Sequence, residues 1–204
     1  MKQHKPETSK IGRPRDYEED EALNKAMLLF WRHGFETTSM SLLSKNMNMN
    51  APSIYAAFGD KKSLFLKALD LYVGKLSEIE SFLDNAPSAF EATYEILKQS
   101  AIRFTGKETP TGCMLASAVA SCSAESADVQ ITTAKIRAKI ESLIKQRIEK
   151  DIKNQILPKS FSAEAFAALA TATIQGMSVL ARDGASRKKV LLIAETSMLS
   201  WNHG

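Results

Sequence analysis

The sequence predicts an all-α protein. Apolar residues recur every three to four positions in one segment after another, and no stretch keeps the two-residue alternation of a strand. The breaks between segments carry helix caps, glycines and prolines. About nine helices follow from this pattern, with no internal repeat. At 204 residues and 44% hydrophobic, the chain can bury a core in one or two compact units.

Residues 1–15 carry Lys2, Lys5, Lys10, Arg13 and Arg15 against Glu7 alone, with Pro6, Gly12 and Pro14 and little that is apolar. That composition reads as a flexible basic arm. An acidic run over residues 16–21 then opens the first helix, where carboxylates complement the macrodipole. Leu23, Met27, Phe30 and Trp31 form its apolar face, and Gly34 stops it.

Two short patterns follow. The first is capped by Ser39 and holds Leu42, Leu43 and Met47. After the break at Asn48, Met49 and Asn50, the second starts with Pro52 in its first turn, carries Ile54, Tyr55 and Phe58, and closes at Gly59. Helices this short are marginal alone in water, so packing must hold them. Asp60 caps what reads as one long helix through Leu64, Phe65, Ala68, Leu69, Tyr72, Leu76, Ile79 and Leu83, about 35 Å at ~1.5 Å per residue.

Ser88 and Glu91 fit a capping box, followed by the stripe Phe90, Tyr94, Leu97, Ala101 and Phe104. Residues 106–112 form a turn-rich break before a short apolar helix from Cys113. A longer helix over about 128–156 buries Ile136, Ile140, Ile144, Ile148 and Ile152, and Pro158 ends it. Ser162 caps an alanine-rich helix with the stripe Phe166, Leu169, Thr173, Met177 and Leu180. Val190, Ala194, Met198 and Trp201 line the last helix.

Bulk properties narrow the function. No apolar run reaches the ~18 residues of a membrane helix and the N-terminus lacks a secretory signal, so a cytoplasmic protein with no membrane partner is expected. Two cysteines, Cys113 and Cys122, are too few for a disulfide framework. The net charge of +4 sits in the arm, because beyond it the 22 Lys and Arg match the 22 Asp and Glu. His4, His33 and His203 lie far apart, without metal-ligand spacing. No phosphate loop or nucleophile elbow is present, so neither an enzyme, a cofactor nor a metal is expected.

The pair of short helices can be a helix-turn-helix, with residues 39–47 bracing and 51–58 entering a major groove, or an ordinary hairpin in a helical scaffold or small-molecule-binding protein. Asn50, Ala51, Pro52 and Ser53 present short side chains where the second helix begins, so its backbone can approach base edges. Tyr55 is either a phosphate ligand or a half-buried aromatic. Gly12, Arg13, Pro14 and Arg15 contain the GRP of minor-groove arms, although a solubilising tail has the same composition.

The run ALNKAMLLFWRHGFETTSMSLLSKNMNMNAPSIYAAFGDKKSLFLKAL resembles the DNA-binding domain of TetR-type (AcrR-like) transcriptional regulators. Gly34, Thr38, Leu43, Pro52, Tyr55, Phe58, Lys61 and Leu64 carry the likeness over roughly residues 16–70. It implies that Ser39 and Ser41 touch phosphates, that Asn50, Ala51, Pro52, Ser53 and Tyr55 face the groove, and that Lys61 anchors a phosphate. Asn48 stands where the family commonly has glycine, and asparagine tolerates a left-handed turn.

The resemblance also implies a division into the arm over 1–15, a DNA-binding head over 16–76 and an effector-binding and dimerisation body over 77–204. Its expected partners are double-stranded operator DNA, a second copy of the chain and a small-molecule effector. The expected activity is that of a dimeric repressor released by a small-molecule or thiol-reactive signal, with the long helix after residue 60 transmitting it. Tyr72, Phe82, Tyr94, Phe104, Cys113 and Met114 are candidate pocket walls, with plain core the other reading for each. Cys113 is either a reactive thiol at a helix start or a small buried hydrophobe. Phe166, Leu169, Thr173, Met177, Leu180, Val190, Ala194, Met198 and Trp201 are the candidate dimer interface, helped by small Ala165, Ala168, Ala172 and Gly176; a purely internal helix is the other reading.

Overall fold

The computed structural model describes residues 15–74, 76–117 and 126–203. Among them every regular element is helical: α1 Arg15–His33, α2 Met40–Met47, α3 Ala51–Phe58, α4 Lys61–Val73, α5 Leu76–Asn85, α6 Ala89–Phe104, α7 Met114–Ser117, α8 Ala127–Lys153, α9 Ala163–Arg182 and α10 Arg187–Met198, then a 3-10 turn Leu199–His203.

The N-terminal helices pack around aromatic rings. Phe65 of α4 meets the rings of Phe30 and Phe35 edge-on at 5.2 Å each. Leu43, Ile54 and Leu64 are fully buried beside them. Four helices, two of them only eight residues long, therefore share one apolar centre.

The single long helix expected over 60–83 is two. Gly74 takes φ +71 and its N–H bonds the Asp70 carbonyl at 2.9 Å, ending α4 before α5 begins at Leu76. The apolar period runs on across the break, which hides it, while glycine supplies the left-handed conformation that stops a helix.

In the remainder, α8 and α9 lie side by side, with α6 and α10 packed on α9. Ile144 and Ile148 are fully buried, whereas Ile136, Ile140 and Ile152 are only half-buried because a strict four-residue spacing drifts around a helix of 3.6 residues per turn. A buried Arg147–Asp151 ion pair ties α8 to the turn before α6: Arg147 donates to the Ala86 carbonyl at 3.1 Å, and Asp151 accepts the Ala89 N–H at 2.6 Å.

Against the expectation from apolar runs, α9 is long and apolar enough to cross a membrane by length and composition. Its many alanines, with Phe166, Leu169, Ile174, Met177, Val179 and Leu180, bring it to that level, and it packs against α6, α8 and α10. Its inward side is one wall of a helical core.

Candidate DNA-binding surface and effector cavity

Both short helices begin on side-chain caps. Ser39 Oγ accepts the Leu42 N–H at 3.1 Å, and Asn50 Oδ1 accepts the Ser53 N–H at 2.8 Å. Asn48, between them, adopts φ 59 and ψ 37, the left-handed conformation that the family's glycine would take, and its N–H reaches the Ser44 carbonyl. The turn is therefore built with asparagine.

One face of α3 is sunk and the other open. Ile54 and Phe58 are buried, while Pro52, Ser53 and Tyr55 are exposed, with Tyr55 at 50%. Ser39, Ser41 and Asn50 are exposed on the same helix pair, and Ala51 is half-buried. Asn50 differs from its sequence expectation in one respect: its carbonyl oxygen is committed to the cap, leaving the amide N–H groups for a ligand.

Lys61 is half-buried, donating to the Glu36 carbonyl at 3.2 Å with its ammonium 4.5 Å from the centre of the Phe35 ring. Burial lowers its pKa, and Glu36 acts in the opposite direction. It fastens the start of α4 to the chain after α1. Arg13 and the rest of the GRPR arm, like Cys122, lie outside the described residues. Arg15 is the first residue of α1, one position earlier than the expected helix start, and its side chain is also outside them.

A cavity of about 480 Å³ opens between α4, α5, α6, α8 and α9. Four expected wall residues line it: Tyr72, Phe82, Phe104 and Cys113. Two do not. Met114 is fully buried in the core, and Tyr94 is half-buried on α6 away from the cavity. Sequence reasoning missed Arg103, Arg137, Thr171 and Gln175, which supply much of the polar lining. Arginine beside an apolar stripe reads equally as solvent-facing, so no local pattern marks it.

Cys113 is 5% exposed and sits just before α7. A helix of four residues carries little of a macrodipole. Its N–H donates to Ser178 Oγ at 2.8 Å, and Tyr72 donates its hydroxyl to the sulfur at 3.4 Å. Burial first, and Cys113 second, push the Tyr72 hydroxyl above the usual phenol range, which keeps it a donor.

Residues at the cavity wall are bonded to α1. Trp31 Nε1 donates to the Gly112 carbonyl at 3.0 Å, and the Trp31 ring meets Tyr72 edge-on at 4.8 Å. Arg182 donates to the Trp31 carbonyl at 2.9 Å, and burial lowers its pKa.

The expected dimer residues separate into two groups. Met177, Val190, Ala194, Met198 and Trp201 are buried within the chain itself and belong to its own core. Trp201 closes a ring cluster with Phe161 at 5.1 Å and Phe166 at 5.4 Å. Leu169 is exposed, and Thr173 and Leu180 are half-buried. The open apolar face instead combines Ala165, Ala168, Leu169, Ala172, Gly176 and Val179 of α9 with Leu192 of α10. Among the described residues no group of three or more His, Cys, Asp or Glu could hold a metal.

Residues 22–68 match the family model "Bacterial regulatory proteins, tetR family". The chain is 34% identical over 193 residues to the HTH-type transcriptional repressor ComR of Escherichia coli (strain K12), covering 93% of this chain and 91% of that protein. It is 31% identical over 121 residues to the repressor BdcR of the same strain, covering 59% and 61%. Among solved structures it is similar to a cysteine mutant of the TetR family transcriptional regulator CifR complexed with 26 bp double-strand operator DNA. The TM-score is 0.86 at 34% identity, covering 93% of this chain and 100% of that one. The exposed, capped second helix and these relatives agree, and the chain belongs to the TetR family as a DNA-binding transcriptional regulator.

Proposed function

We propose that this regulator is a dimeric repressor that holds an operator through α2 and α3 and releases it when a ligand fills the cavity below. The observation that carries the reading is α3, whose buried side fixes it to the head while its other side is open along Pro52, Ser53 and Tyr55. Ser39 and Ser41 contact phosphates at the start of α2, and Ala51, Pro52, Ser53 and Tyr55 enter the major groove. Asn50 contributes its amide N–H groups. Lys61 has N–H donors to spare beyond the Glu36 carbonyl, and one reaches a phosphate. Arg13 and Arg15 add minor-groove contacts from the arm.

The functional division falls just past the break at Gly74, with a head through residue 76 and a body from residue 77. A second copy covers the open face of α9 and α10 and sets the two heads about one helical turn of DNA apart, ~34 Å. Signal passes through the last turn of α4 and the loop before α7, which both line the cavity and touch α1. A ligand that favours one placement of α4 shifts the spacing of the heads. A thiol-reactive effector that enters this cavity meets Cys113 in its wall.

Selection of bound duplexes from a random pool tests the reading. A two-fold symmetric site, bound with a steep salt dependence, is expected; each phosphate contact contributes about −0.9 to the slope of log K against log salt. Weak binding without sequence preference overturns it.

A further inference from the structure

We propose that the ligand of this cavity is an organic monoanion, a carboxylate on an apolar alkyl or aryl body, and that Arg103 and Arg137 receive its charge. The inference rests on the reading of the cavity as the effector site and adds the chemical class of the effector.

The walls are mostly apolar, from Ile79, Phe82, Ile96, Phe104, Ile140 and Ile174. Two guanidinium groups line the same space, and among the described residues neither has a carboxylate partner. Each spends one N–H on a backbone carbonyl, Arg103 on Tyr72 at 3.0 Å and Arg137 on Leu115 at 2.9 Å. An arginine has five N–H donors, so most of each fork remains. A cation beside apolar walls is costly until a counter-charge arrives. Among the described residues Glu78 is the sole carboxylate in the lining, so two positive groups against one negative leave a deficit of one negative charge.

The anchors also place the charge. Tyr72 donates to the Cys113 sulfur, and Leu115 follows Cys113 by two residues, so both arginines are tied to the wall around Cys113. Thr171 lines the cavity too, with a hydroxyl that is buried and lacks a hydrogen-bond partner among the described residues. A carboxylate oxygen is an acceptor suited to it. The Arg103 guanidinium lies 4.1 Å from the Tyr72 ring centre and 5.4 Å from that of Trp31. An anion that engages Arg103 therefore acts on the ring pair that joins α4 to α1.

The test titrates the full chain calorimetrically with decanoate, 1-decanol and decylammonium, all below their aggregation limits. Decanoate is expected to bind at least tenfold more tightly than decanol, with decylammonium weakest. Arg103→Gln and Arg137→Gln are each expected to lower decanoate affinity about tenfold and leave decanol unchanged. If one variant does not fold, the other decides. Equal affinity for acid and alcohol, preference for the ammonium, or no binding of any probe overturns the proposal. Operator binding by the ligand-free chain is measured on the same preparation. Retained DNA binding without a decanoate response defeats this inference alone, whereas absent DNA binding defeats the repressor reading.

Discussion

The indole N–H of Trp31, near the end of α1, donates to the carbonyl of Gly112 across 3.0 Å, joining residues 81 positions apart. The next residue, Cys113, forms part of the cavity wall, so a helix of the DNA-binding unit is bonded to the backbone of the ligand site. Gly112 itself is pressed against α9: it holds φ +76, and a Cβ there would lie 2.8 Å from Arg182 Cγ and 2.9 Å from the Ser178 carbonyl. Trp31→Phe keeps most of the packing but leaves the carbonyl without its donor, a loss of about 1–3 kcal/mol. Thermal melting checks the stability change. Operator titrations with and without decanoate are expected to show that the variant binds DNA yet responds less to ligand.

Asn50 separates capping from recognition. Asn50→Asp retains the oxygen that accepts the Ser53 N–H, so stability is expected to stay within about 0.5 kcal/mol. The variant loses the amide donors and brings a negative charge to the DNA, so operator affinity falls at least tenfold. Asn50→Ala loses the cap as well, at about 0.5–2 kcal/mol. Denaturation and operator titration of the two variants check both halves, and undiminished affinity in Asn50→Asp removes the residue from the interface.

The head was legible in the sequence because its signals are local. Ser39, Asn50 and Asp60 are caps at the positions where the pattern puts them, and Gly59 ends α3 as expected. Gly74 was not legible, since Leu76, Ile79 and Leu83 stay in phase with α4 and an isolated glycine is tolerated in helices. The dimer face is harder to read for another reason. An apolar helix such as α9 shows that it is covered, but not whether by its own chain or another: Met177 turns inward and Val179, two residues on, turns out. The cavity depends on contacts between residues tens of positions apart, such as Arg103 with Tyr72, which no spacing rule records.

The Arg147–Asp151 pair is the main polar fastening in the body. Asp151→Ala strands a buried guanidinium and also removes the acceptor of the Ala89 N–H, so a loss of about 3–5 kcal/mol is expected. An Arg147→Met, Asp151→Leu double substitution removes both charges and is expected to recover most of that loss. Chemical denaturation of the single and double variants measures the difference, and equal destabilisation by both would show that the hydrogen bonds to the α6 start matter more than the charges.

The apolar face of α9 and α10 divides the two kinds of interface residue experimentally. Val179 and Leu192 are more than half exposed, and nothing lies within 4 Å of a Cβ placed on Gly176, so this surface has room for a second helix pair. A Val179→Arg, Leu192→Arg variant puts charge on that surface without touching the core. It is expected to elute as a folded monomer with an unchanged circular dichroism spectrum, and to lose high-affinity binding to a two-fold operator because its heads are no longer held at a fixed spacing. Met177 has no exposure in the protomer, so Met177→Ala is expected to cost about 2–5 kcal/mol through the cavity it leaves. That variant should remain a dimer. Light scattering coupled to size-exclusion chromatography reads both outcomes: a monomeric Met177→Ala or a dimeric Val179→Arg, Leu192→Arg variant would place the interface elsewhere.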